Sequence, residues 1–338
     1  MICQREIQRI AASLPLLSLL LLIPPANASA TFLAPLGSVA EAQRSHLIWV
    51  IVLTLGAIVP VLIATPLILW RYRYQNKKAK YLPSWAFSIK LEYVLWGLPS
   101  IIVTALAFKL WHSVAELAPY RPIESQENVA PLCVQVVGLN WKWLFIYPQY
   151  NIATVNALNL PVGRPVSLQL TTDTVMQSFR ISALAGQIYA MPGMTTQLNF
   201  IASKKGETLG ENTQYNGDKF AEQRFAVKAL STADFQQWVS QVKDTGNQLT
   251  AENYHILAKP GNAALARKQL DLKNNEALNF NALPAHLFHR IVNRYHTHSA
   301  VPDTAQPGSP TYEAERASLP SLDLPMTNFC TQMKKELQ

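Results

Sequence analysis

Between His112 and His255 the chain has no histidine, and over the same span it has one cysteine, Cys133. Within that span lies ENTQYNGDKFAEQ, residues 211–223, polar for most of its length and containing one glycine, Gly217. It is too polar for a core segment and too ordered in composition for a linker. Its side chains are chiefly amides and carboxylates, and amides offer donors and acceptors in equal measure. A copper site of the blue or dinuclear kind needs imidazole and thiolate ligands together. Two bridging thiolates cannot come from one cysteine, so the residues themselves argue against copper here. Gly217 is the backbone-permissive position of the loop.

Other residue types invite chemistry elsewhere. Trp141 and Trp143 stand two apart, which on a strand places both on one side; core or subunit packing accounts for them, with an electronic role as the alternative. His286, His289, His296 and His298 gather near the end of the chain. Such a tract can bind metal, or it is a polar helix face running into a solvated tail. Glu92, beside an apolar run, reads as an interfacial anchor next to Lys90, against the alternative of an intramembrane functional acid. Cys133 and Cys330 are distant in sequence, and pairing between them is left open.

These residues need elements to position them. From Pro131, short β-type runs follow at 132–138, 141–148, 152–160, 165–172, 178–183, 194–202 and 219–230, divided by Gly, Pro, Asn and Asp. Seven or eight strands at this spacing imply a β-sandwich over residues 118–230. The period then changes. Phe235, Trp238, Val239 and Val242 recur at helical spacing in 231–244, with Ser231 or Thr232 as cap. A second helix is expected over 251–259, ended by Pro260. A third is expected over 284–295, with Pro284 at its first position. The region 231–295 thus reads as a helical extension, and the proline-containing stretch 296–338 as a disordered tail.

The first third of the chain is apolar in blocks. Arg5 and Arg9, the run Ile10–Ile23 and Ala26-Asn27-Ala28 make residues 1–28 a signal peptide. The alternative is an uncleaved anchor, against which Pro15 and the short run count. Residues 29–45 form a short external segment. Leu47–Trp70 and Tyr93–Trp111 are each long enough to span a bilayer, so residues 46–114 form a two-helix transmembrane hairpin. Its loop, residues 71–92, holds Arg71, Arg73, Lys77, Lys78, Lys80 and Lys90 against Glu92. Short basic loops stay in the cytoplasm, so the sandwich is exported. The net charge of +8 is explained by that juxtamembrane loop, which disfavours a nucleic-acid partner.

In this order the pieces resemble subunit II of the haem–copper respiratory oxidases. NWKWLFIYP (140–148) is similar to that family's aromatic segment, VMQSFRI (175–181) to its V-I-H-S-F strand, and AMPGM (190–194), with Gly193, to its P-G turn. The helical extension resembles the cytochrome bo-type ubiquinol oxidase branch. The resemblance implies a membrane α-helical hairpin plus an all-β cupredoxin-like Greek-key sandwich. In the cytochrome c-oxidising branch the sandwich holds dinuclear copper on a loop reading C-x-E-x-C-G-x-x-H-x-x-M. Laid on this chain, Asn212 and Asn216 stand at the cysteine positions and Gln214 at the glutamate. Phe220 stands at the histidine and Gln223 at the methionine. Gln177 replaces the histidine of the upstream strand, and Gly217 alone is retained.

The resemblance further implies a non-catalytic subunit of a proton-pumping complex that oxidises ubiquinol and reduces oxygen to water. No cofactor is expected in this chain; haems and copper are expected in the large subunit I. Subunit III, a small subunit IV and membrane lipid are the other expected partners, without cytochrome c. The expected location is the bacterial inner membrane with the C-terminal domain in the periplasm. The rival readings are a copper-bearing cytochrome c oxidase subunit II, disfavoured by its ligands, and a free-standing membrane-anchored periplasmic binding module or copper chaperone.

Overall fold

The computed structural model describes residues 31–74, 76, 87–123, 129–272 and 278–294. The signal peptide expected over residues 1–28, most of the basic loop, Cys330, His296, His298 and the proline-containing tail lie outside the described residues. Two helices open the fold, α1 (Ser38–Arg71) and α2 (Ile89–Glu116), both long and apolar enough to cross a membrane. Each runs beyond its apolar block at the outer end. Their apolar side chains, among them Leu69, Trp70, Trp96 and Trp111, are exposed all round, as a bilayer-facing helix requires. Pro60 and Pro66 sit inside α1 and Pro99 inside α2 without ending either helix. Nearby hydroxyls bond back into the helix: Thr65 Oγ1 donates to Val61 O at 2.8 Å, and Ser100 Oγ to Trp96 O at 2.7 Å. Such back-bonding keeps polar groups satisfied where no water is available.

The sandwich comprises β1 (Leu132–Leu139), β2 (Lys142–Tyr147), β3 (Ile152–Val155), β4 (Ala157–Pro161), β5 (Pro165–Thr172), β6 (Gln177–Ile181), β7 (Ala185–Ala190), β8 (Thr196–Ile201), β9 (Gly206–Asn212) and β10 (Arg224–Leu230). One sheet contains the run β3-β2-β1-β5-β8, with β8 at its edge, and the other runs β4-β10-β9-β6-β7. β1 pairs with β5 in parallel and β4 with β10 in parallel, while the neighbouring pairs are antiparallel. This is the expected all-β Greek-key sandwich. Between the sheets, Trp143, Phe145, Phe179 and Phe225 form an aromatic cluster, with Phe179 and Phe225 stacked at 5.0 Å.

Several boundaries differ from the sequence reading. The run 152–160 divides at Asn156, whose φ is 56°; its side chain accepts from Trp143 N at 2.8 Å and turns the chain from one sheet to the other. Strands β7 and β9 were not expected, because only part of each is buried and their sequences, AGQIYA and GETLGEN, lack a dense apolar run. The final strand begins only at Arg224, since Phe220–Glu222 form a 3-10 turn.

The region after β10 is more than helical. It contains α3 (Thr232–Thr245), β11 (Asn247–Gln248), α4 (Ala251–Ala258), α5 (Ala263–Gln269), β12 (Asn279–Ala282) and α6 (Leu287–Asn293). Ser231 caps α3 by accepting from Asp234 N at 3.1 Å. β12 pairs with β3 and β11 with β12, so the first sheet has seven strands. Pro284 does not open α6: the helix begins after His286, which adopts left-handed φ of 58°. Leu257, Phe280, Phe288 and Ile291 cover Val137, Leu139, Leu144 and Ile146 on the outer face of that sheet. β1 and β2 are therefore buried on both faces, which explains their near-continuous apolar sequences.

The hairpin is fixed to the sandwich just before α1. Leu36 enters the main core, donates N–H to Ala183 O at 2.8 Å and accepts from Ser203 N at 2.8 Å. A Cβ at Gly37 would lie 2.7 Å from Ile201 O, so the close approach needs glycine. His46 Nδ1 and Ser113 Oγ, 3.3 Å apart, tie α1 to α2.

Candidate functional site

The residues aligned with copper ligands come from β6, the end of β9 and the loop leading to β10. Four of the six converge. Gln223 Nε2 donates to Gln177 Oε1 at 2.6 Å, while Gln223 Oε1 accepts from Asn216 Nδ2 at 2.7 Å and Asn212 Nδ2 at 3.0 Å. Gln177 Nε2 donates to Leu139 O at 3.0 Å. Asn212 Oδ1 accepts from Ser178 N and Gln214 N at 2.9 and 3.0 Å. Gln177 and Gln223 are fully buried and Asn212 nearly so. Gly138 makes the room: a Cβ there would lie 2.5 Å from Gln177 Oε1.

The other two positions stay outside this network. Gln214 contributes only backbone bonds, its carbonyl accepting from Asn212 Nδ2 at 2.8 Å. Phe220 is half-buried on the 3-10 turn against Tyr215, with ring centres 5.9 Å apart, and is not a core side chain.

Trp141 and Trp143 do not share a face. Trp141 precedes β2 with φ of 63°, so strand alternation does not reach it. Its indole N–H donates to Asn216 O at 3.3 Å, and Gly217 lies over its ring, where a Cβ would approach to 3.2 Å. Gly217 itself has φ of 112°, a region that favours glycine. Gly193 likewise has φ of 71° in the Met-Pro-Gly turn. Trp143 is buried in the aromatic core, edge-on to Phe179 at 5.1 Å.

The donor set does not fit copper. Amides that hydrogen-bond to one another occupy the place where soft ligands would converge. Cys133 is buried near the start of β1 and is disulfide-bonded. With a rise of about 3.3 Å per residue, it lies roughly 20 Å along the strand from Leu139 and the amide network. Among the described residues no group of three or more His, Cys, Asp and Glu is arranged to hold a metal ion.

A family model described as cytochrome c oxidase subunit II, periplasmic domain, matches residues 150–230. The chain is 39% identical over 292 residues to cytochrome bo(3) ubiquinol oxidase subunit 2 of Pseudomonas putida, covering 86% of this chain and 88% of that protein. It is 43% identical over 228 residues to ubiquinol oxidase subunit 2 of Acetobacter aceti, covering 68% and 74%. The chain belongs to the ubiquinol oxidase subunit 2 family. Among solved structures, it is similar to the periplasmic domain of subunit II of cytochrome oxidase of Bradyrhizobium japonicum, at 21% identity and a TM-score of 0.34, over 37% of this chain and 98% of that one.

This member of the ubiquinol oxidase subunit 2 family is a membrane-anchored chain with a periplasmic cupredoxin-like domain. Two buried ionic features beside its amide network escaped the sequence reading. Lys142 is fully buried, and Nζ donates to the carbonyls of Asn140, Lys259 and Gly261 at 3.2, 2.9 and 2.7 Å. Burial, with a smaller contribution from Lys219, lowers its pKa to about 8. The side chain thereby ties β2 to the segment between α4 and α5. A lone basic residue inside the apolar run WKWLFIY was the available signal.

The second is the ion pair between Asp173 and Arg294. Burial pushes the Asp173 carboxyl up, while Arg294, the Tyr254 hydroxyl and His255 pull it down. It joins the end of β5 to the residue following α6, a contact between positions far apart in sequence that no local pattern announces.

His286 and His289 both line a cavity of about 220 Å³ against β1 and β2. Burial, then His286, lowers the pKa of His289.

Proposed function

We propose that this chain is the non-catalytic subunit II of a proton-pumping ubiquinol oxidase of the aerobic respiratory chain. Its hairpin packs on a haem-bearing subunit I in the bacterial inner membrane, and its sandwich caps that subunit's outer face. Subunit III and a small subunit IV complete the complex. This chain holds no cofactor, and the haems and copper belong to subunit I.

One observation carries the reading. The position that would receive electrons from cytochrome c is built from Gln177, Asn212, Asn216 and Gln223, bonded to one another. Amides engaged in this way offer neither redox-active metal nor thiolate, so electrons reach the complex by a route other than this domain. That favours a quinol dissolved in the membrane as donor over a soluble cytochrome.

The test is oxygen uptake by the purified complex. Ubiquinol should sustain turnover and reduced cytochrome c should not. Turnover with reduced cytochrome c, undiminished when quinol is absent, would overturn the proposal.

A further inference from the structure

The hairpin and the sandwich meet around a cavity of about 510 Å³. Its lining includes Ser38 and Gln43 from α1, Glu116 from the end of α2, Arg121 just beyond it, Gln187 of β7 and Asn199 of β8. Asn199 is 6% exposed. Its Oδ1 accepts from Gln197 Nε2 at 3.2 Å and its backbone N–H donates to Pro119 O at 3.0 Å. Its Nδ2 has no partner. Buried side-chain donors are rarely left unmade; Asn199 lines the cavity while Nδ2 itself is closed off from it, so a turn of this side chain toward the cavity brings the donor to an acceptor there.

Two opposite charges stand at the same cavity. Arg121 and Glu116 are exposed and form an ion pair neither with each other nor with any other described residue. A guanidinium and an amide N–H together suit a phosphate. A carboxylate suits an ammonium, and it would repel a ligand carrying only negative charge.

Depth identifies the source of such a ligand. Gln43 lies four residues before the apolar block that starts at Leu47, and Glu116 lies five residues after Trp111. At 1.5 Å per helical residue these offsets are about 6 and 8 Å. The headgroup layer on each side of a bilayer is about 5–8 Å thick. The cavity mouth is therefore at headgroup depth, in the outer leaflet.

We propose that this junction binds the phosphoethanolamine headgroup of a membrane phospholipid. The phosphate would engage Arg121 and Asn199 Nδ2, and the ammonium Glu116. A bound headgroup of this kind would complete the contact between hairpin and sandwich, which otherwise depends on Leu36 and its neighbours.

The proposal rests on α1 and α2 being membrane spans, and the test separates the two. The assembled complex is placed in nanodiscs with equal phosphatidylethanolamine and phosphatidylglycerol, extracted, and its retained lipids are counted by native mass spectrometry. Arg121→Gln should retain one phosphatidylethanolamine fewer than the unaltered complex. Asn199→Asp, nearly isosteric, should lose the same lipid by repelling phosphate. Glu116→Gln should keep a lipid there but lower its ethanolamine-to-glycerol preference, about tenfold if the ion pair is worth 1.4 kcal/mol. An unchanged lipid complement in all three variants, with the chain resisting alkaline carbonate extraction, would overturn the headgroup site alone. Loss of phosphatidylglycerol in place of phosphatidylethanolamine would also overturn it. Release of the chain by carbonate would overturn the spans and this site together.

Discussion

Replacing Gln223 with leucine should show how much the buried amide network contributes. The change removes the one side chain that touches Gln177, Asn212 and Asn216 together. Gln177 Oε1 loses its 2.6 Å donor in a fully buried position, at about 1–3 kcal/mol for an orphaned acceptor. Asn212 Nδ2 keeps Gln214 O, and the half-buried Asn216 can turn to water. These two losses cost about 1 kcal/mol each. Leucine restores part of the sum through its own burial, leaving a predicted net loss of about 3 kcal/mol. Gln177→Leu together with Gln223→Leu should cost less than the two single changes added, by about 1–2 kcal/mol, because the orphan disappears with its partner. Urea unfolding of the full chain in detergent, followed by tryptophan fluorescence, measures both quantities. A single-variant loss below about 0.5 kcal/mol, or strict additivity in the double variant, would refute the claim that the network stabilises this loop.

Three further predictions follow from other contacts. Because burial lowers the Lys142 pKa to about 8 from 10.5, the unfolded chain holds a proton that the folded chain releases between those values. Stability should therefore rise with pH across that window, by at most about 3 kcal/mol; Lys142→Met should flatten the rise, and equal slopes in thermal melts would contradict it. Asp173→Asn or Arg294→Met alone should cost about 3–5 kcal/mol by stranding a buried charge, whereas Asp173→Leu with Arg294→Met should recover most of it. Chemical denaturation of the three variants tests this, and a double variant as unstable as the sum of the singles would argue against it. Finally, reporters fused within residues 71–90 should read cytoplasmic and fusions after Ala118 periplasmic; the reverse would invert the hairpin.

Much of this architecture is legible in the chain itself because it rests on local chemistry. The two apolar blocks form membrane-length helices by composition alone, and the capping of α3 by Ser231 follows from residue type. The chemistry of the loop at 211–223 was also readable: the absence of histidine and the single cysteine of the sandwich are facts of sequence. The division of roles among the aligned positions was not. Gln177, Asn212, Asn216 and Gln223 meet only because β6, β9 and β10 are neighbours in one sheet, and Phe220 is held away from them by a 3-10 turn. Trp141 looked like a strand residue until its left-handed backbone placed it under Gly217. β11 and β12 are too short to signal themselves, and they exist because β3 offers an edge to pair with. Lys142 and the pair Asp173–Arg294 depend on contacts between segments more than a hundred residues apart. Sequence fixes which groups a segment can offer, through periodicity, charge and backbone preference; only packing decides which of those groups lose water together, and that loss of water sets their partners and their proton affinities.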